Sequence, residues 1–219
     1  MRRISLKTWA LTLAAATLGV AVAATRTVAT AESQAPAAQA LQSIGPLAFG
    51  PDGVLFAADR QAATIFAIDL GAKATSGAAG AKDVTGIDTQ IASMLGTDAK
   101  EVQITDLAVH PKTRNAYISV MRGTGAEAKP ALLRVDGAGK LEIVALDGLK
   151  MTRASLPNAP AAAAGQRNPR MESITDMAFV DGKLVVAGLS NEEFASKLRT
   201  VPYAFAAVEA ADAHGRRGE

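Results

Sequence analysis

Two stretches of this chain carry almost the same phrase. ITDLAVHPKTRNAYISV occupies residues 104–120 and SITDMAFVDGKLVVAGL occupies 173–189, and a looser version, SIGPLAFGPDGVLFAAD, occupies 43–59. A recurring phrase constrains architecture more than any single residue does, because one supersecondary unit used three times hides its apolar face only by stacking against its neighbours. Each copy reads as an apolar strand, a turn and a second apolar strand. In the first copy Pro51-Asp52-Gly53 explains the turn: proline presets φ, aspartate bonds the nearby backbone and glycine accepts a positive φ. The first copy predicts strands at 44–49, 54–59 and 63–70, and the second at 104–109, 116–121, 131–136 and 141–146. The third predicts strands at 174–179, 184–189 and 201–208.

Aligning Ile44, Ile104 and Ile174 spaces the copies 60 and 70 residues apart, more than the roughly 40–50 of common strand repeats. Two insertions account for the excess. Residues 71–103 add a Gly/Ala-rich loop and a helix, DTQIASML, that Asp88 should cap and Gly96 should end. Residues 147–172 hold prolines and an alanine run, and no strand is predicted there.

The first 31 residues hold Arg2, Arg3, Lys7 and Arg26 but no Asp or Glu, with an uncharged run from Trp9 to Ala24 followed by small residues. This is the three-part pattern of a secretory signal peptide, with cleavage after Ala31 or Ala23, and the uncharged run is shorter than the roughly 20 residues a spanning helix needs. RRISLK is similar to the twin-arginine export motif, with Ser5 where phenylalanine is usual. The formal charge of +2 comes from this leader, since the remaining cations are fewer than the 21 acidic residues. Nucleic acid is therefore not an expected partner, and the membrane enters only through the leader during export to the periplasm or beyond. There is no cysteine and only His110 and His214, which excludes a disulfide framework and thiolate or multi-histidine zinc sites.

These features predict an all-β chain of propeller-type blades, about two and a half to three of them, with one short helix in an insertion between blades. The organisation is a signal peptide (1–31), a flexible Ala/Gln-rich arm (32–42), a partial repeat domain (43–205) and an irregular, charged, glycine-containing tail (206–219). LAFGPDGVLFAAD and LAVHPKTRNAYISV resemble the strand-turn-strand signature of the YVTN, NHL and gluconolactonase-type propellers, and more distantly of WD-repeat proteins. The resemblance implies architecture rather than activity. A closed propeller has at least four blades, so the chain reads as an incomplete array: a fragment, a truncated reading frame, or a protomer that needs partners and, if the chain is complete, exposes sheet faces and associates with itself.

Asp106 and Asp176 hold the same place in the ITD phrase, where the first copy has Pro46. Two readings stand side by side: carboxylates binding a divalent cation such as Ca²⁺, or acceptors for backbone N–H groups where the strand begins. The gluconolactonase resemblance implies a metal set drawn from Glu172, Asp176 and Asn191. Arg167 and Arg170, on either side of Asn168-Pro169, could cradle an anion. His110 belongs to a turn, with no carboxylate or nucleophile tied to it by motif. DGAGK (136–140) is a hairpin turn and not a phosphate loop. Phe49, Phe56 and Phe179 should pack between blades. The functional expectation is an exported scaffold that binds an unknown protein or small molecule through its loops. The alternatives are a metal-dependent lactonase- or esterase-like hydrolase and a quinoprotein-type assembly.

Overall fold

A computed structural model describes residues 41–71, 74, 80, 82–163, 168–191, 196–203, 205 and 209–211, all within the compact unit Gln34–Glu219. The predicted signal peptide, most of the Ala/Gln-rich arm, Arg167 and residues 212–219 lie outside the described residues. Among the described residues no helix is long and apolar enough to cross a membrane.

The described chain is built mainly from three four-stranded antiparallel sheets. The first sheet contains β1 (Leu47–Phe49), β2 (Leu55–Asp59) and β3 (Thr64–Asp69). The second contains β4 (Val102–Val109), β5 (Ala116–Arg122), β6 (Lys129–Val135) and β7 (Leu141–Ile143), and α1 (Ile87–Leu95) precedes it. Next comes β8 (Lys150–Ser155), which pairs with β3 and completes the first sheet. The third sheet consists of β9 (Asp176–Val180), β10 (Lys183–Leu189), β11 (Ser196–Pro202) and β12 (Glu209–Ala211).

Each repeated phrase supplies the two strands that open a sheet, β1–β2, β4–β5 and β9–β10, and the turns follow from their residues. Asp181 (φ 47°) and Gly182 (φ 79°) are both left-handed, which gives β9–β10 the two-residue turn whose twist matches the flanking strands. In β1–β2, Gly53 (φ 85°) donates its N–H to the Gly50 carbonyl at 3.0 Å, and Gly50 donates back to Val54 at 3.0 Å.

Four expectations are corrected. Residues 150–155 were expected in a strandless loop, yet β3 offers them a ladder of backbone partners, Met151 packs toward the second sheet and Ala154 is buried toward the third. The third strand of the third sheet starts at Ser196 instead of 201, because Arg199 and Val201 pair with Val186 and Leu184. The tail expected to be irregular from 206 carries β12, paired to β11. Helix α1 starts two residues earlier than a cap at Asp88 would place it: Gly86, in the left-handed region at φ 60°, makes no side-chain cap, and Asp88 lies in the first turn, where its charge favours the helix dipole.

Spatial order departs from chain order. One apolar cluster joins Leu47, Leu55, Phe66 and Ile68 of the first sheet to Tyr117, Met121 and Leu132 of the second. Another joins Phe56, Ala58 and Ile65 on the opposite face of the first sheet to Met177, Leu184, Val186 and Val201 of the third. A third seats Ile91 of α1 against Ile118, Val120, Leu133 and Val135 on the far face of the second sheet. The stack therefore runs α1, second, first, third, with the earliest strands in the middle. Each fully buried side chain of this size contributes about 1.5–3 kcal/mol, so the two joints around the first sheet hold the array together.

Candidate functional site

The three phrases converge at the ends of their opening strands. Phe49 of β1, Val109 of β4 and Phe179 of β9 hold equivalent places, and with the turn residues after them they line an open groove of about 580 Å³. Gly50 and Pro51 form one wall, Ala108 and Pro111 a second, and Asp181 and Gly182 a third. The lining side chains are apolar apart from Asp181, yet polar and apolar atoms contribute equally to the exposed lining.

The aromatic walls are braced from behind. Phe179 stacks on buried Phe56 with ring centroids 5.5 Å apart and planes 9° apart, and Tyr203 meets Phe56 edge-on at 5.5 Å. Phe49 meets His110 edge-on at 5.0 Å and Tyr117 at 5.3 Å. Rings fixed in this way lose little further freedom when a ligand arrives.

His110 is buried (3% exposed) beneath the groove's turns. Its Nδ1 accepts the N–H groups of Lys112 and Thr113, both at 3.1 Å, which places the remaining ring proton on Nε2. Burial, assisted by the charge of Lys112, pushes its pKa below the ordinary value of 6.5. A Cβ on Gly53 would lie 2.6 Å from Nε2, so glycine is required there by space as well as by φ. The sequence placed His110 in a turn; the structure adds that this imidazole is a neutral strut between the turns of two sheets.

Asp106 sits beside a β-bulge in β4 and bridges two sheets. Its Oδ2 accepts the Leu47 N–H at 2.7 Å and its Oδ1 accepts the Leu107 N–H at 2.7 Å. Beside it Thr105 donates to the Ile44 carbonyl at 2.9 Å and Ser119 donates to the Gly45 carbonyl at 2.8 Å. The chain entering β1 is thus held by three polar side chains of the second sheet, and of the two readings of Asp106 this geometry is the backbone-acceptor one. Asp176 repeats only half of the arrangement. It is exposed, its Oδ1 accepts the Met177 N–H at 2.8 Å, and Thr175 donates to Ala187 of its own sheet at 3.2 Å.

Glu172 ends a short 3-10 turn, Pro169–Glu172, and is half-buried and partnered. Asn191 is exposed, and its backbone N–H donates to the Asn158 carbonyl at 3.0 Å. Among the described residues no three His, Asp or Glu side chains gather into a metal-ligand group. Arg170 donates through Nε to Gln61 O (2.6 Å), through Nη2 to Ala62 O (2.8 Å) and through Nη1 to Pro160 O (3.1 Å). Its guanidinium ties Pro160 to the β2–β3 turn through these three carbonyls. Sequence reasoning also passed over Asp59, a fully buried carboxylate that accepts from Gln42 N, Ser43 N, Ser43 Oγ and Ala62 N at 2.6–3.2 Å. Only its place at the end of the second strand of the phrase hinted at it.

Comparison with known proteins adds no relative: no family model matches the chain, and no curated protein or solved structure matches it.

Proposed function

We propose that the chain is an exported, propeller-type binding scaffold whose ligand, a small molecule or a peptide segment of a protein, sits in the groove between Phe49, Val109 and Phe179. The observation that carries this reading is the convergence of three equivalent strand ends, with two aromatic side chains, on one open concavity. The braced rings support it, and so does the neutral, backbone-locked His110, whose Nδ1 is already an acceptor and which therefore makes a poor general base. The resemblance to YVTN, NHL and gluconolactonase-type propellers fits three four-stranded antiparallel sheets opened by one phrase. The out-of-order stacking, with the first sheet in the middle, is this chain's own departure from that pattern. The leader supports export to the periplasm or beyond.

The alternative, a lactonase- or esterase-like hydrolase using a divalent cation such as Ca²⁺, rests on Asp176 because it is the exposed carboxylate of the phrase. One experiment separates the two. Peptide and small-molecule libraries are screened against the folded protein and against Val109→Arg, which fills the groove with a charged chain. A scaffold gives ligands whose affinity falls at least about tenfold in Val109→Arg, with no turnover. Cation-dependent ester or lactone hydrolysis that survives Val109→Arg and disappears in Asp176→Ala would overturn the scaffold reading.

A further inference from the structure

The two ends of the stack are finished differently. Helix α1 covers the far face of the second sheet through Ile91 and its neighbours, much as terminal repeats in other arrays carry a cap. The far face of the third sheet has no such cover among the described residues. Met177, Leu184, Val186 and Val201 point into the joint with the first sheet, so strand alternation turns Ala178, Val180, Val185, Ala187 and Leu198 outward. Val180 is 49% and Leu198 43% exposed. This is also the face that, in the second sheet, grips the first: Asp176 and Ala178 of β9 stand where Asp106 and Ala108 of β4 face their neighbour.

We propose that this outward face of the third sheet is a dimerisation surface whose occupant is a second copy of the chain, third sheet against third sheet. The charge pattern is self-complementary. Lys183 pairs in register with Val180 at one end of β10, and Asp176 pairs with Ala187 at the other, with Val185 opposite Ala178 between them. A twofold axis between the sheets and perpendicular to the strands lays β10 over β10 in reverse. Lys183 of one copy then faces the Ala187–Asp176 pair of the other, across the roughly 10 Å that separates packed sheets. A head-to-tail contact would need the far face of the second sheet, which α1 occupies, so association stops at two copies with a helix at each outer end. The proposal does not depend on what the groove binds.

Sedimentation velocity and light scattering of the mature protein, from low to high micromolar, test this. The expected result is a monomer that doubles in mass with concentration, and a Val185→Arg variant that stays monomeric with unchanged circular dichroism. Lys183→Glu should weaken the dimer roughly tenfold, and Lys183→Glu combined with Asp176→Lys should restore most of the loss. Because both positions are exposed, this pair decides the matter should Val185→Arg fail to fold. A wild-type mass that stays monomeric at every concentration, as when another segment of the chain covers the face, would overturn the proposal. So would a charge swap that fails to recover the dimer.

Discussion

The first sheet is held on its two faces by different chemistry. Against the second sheet it has an apolar cluster, in which Phe49 meets His110 and Tyr117 edge-on, plus a polar clamp, with Thr105, Asp106 and Ser119 seizing the backbone of 44–47. Against the third sheet it has an apolar cluster plus stacked aromatics, Phe56 on Phe179 with Tyr203 and Phe205 at their edges. Hydrogen bonds to backbone fix register and position, whereas ring packing supplies area. The comparison teaches why one phrase serves both joints. Its alternating apolar residues fill either face, while the ITD aspartate does inter-sheet work only where the neighbour, with Pro46 in its own phrase, leaves the Leu47 N–H to be satisfied from outside.

The largest expected effect comes from breaking the aromatic joint. Phe56→Ala removes a fully buried ring and should cost about 3–5 kcal/mol in denaturant unfolding. A loss below about 1 kcal/mol would mean that the two joints do not divide the work in this way. Breaking the polar joint should cost less. Asp106→Ala strips the Leu47 N–H of its acceptor and should cost about 1–3 kcal/mol, while Asp176→Ala, at the same place in the phrase, should cost only a few tenths because it caps one local N–H. Both are measured at a concentration where the chain is monomeric; equal losses would dissolve the distinction between the two aspartates. The smallest effect is pH dependence at the clamp's side of the groove. With its pKa held below 6.5 in the folded state, His110 binds fewer protons than in the unfolded chain as pH falls past that value. Stability is then lost toward acid and regained toward neutral pH. Comparing unfolding at pH 5.5 and 7.5 in the wild type and in His110→Asn isolates this component; an identical pH response in the variant would remove the histidine from the account.

Local chemistry was readable from the sequence wherever a residue type dictates its own backbone. The turns at Pro51-Asp52-Gly53 and Asp181-Gly182, and strands β4 to β6, stand where alternation and turn residues predict them, to within two residues at their ends, whereas β7 stops at Ile143, three residues short of its expected end. Elements that depend on distant partners were not readable. Strand β8 has no strong alternation of its own, with exposed Lys150, Thr152 and Arg153, and exists because β3 lies beside it. The register of β11 is set by β10 through Ser196 and Lys197, which read as a polar break. The roles of the two ITD aspartates cannot be separated in sequence, since the difference lies in which sheet stacks next. The groove lies at the end of the opening strands, whereas sequence reasoning looked for the site at their start, because nothing in three separate strand ends announces that they meet.

Asp69 and Lys150 stand opposite each other on adjacent strands, so the whole excursion from 70 to 149, helix and second sheet included, leaves and re-enters at neighbouring points of one hairpin. Topologically it is a plug-in: a module spliced into the β3–β8 bend. A tight turn joining Asp69 to Lys150 would leave the first and third sheets with unbroken connectivity, and would bare the flank that the second sheet now shields. During synthesis the earliest sheet waits, one edge open, until the module has been made and the chain comes back to close it.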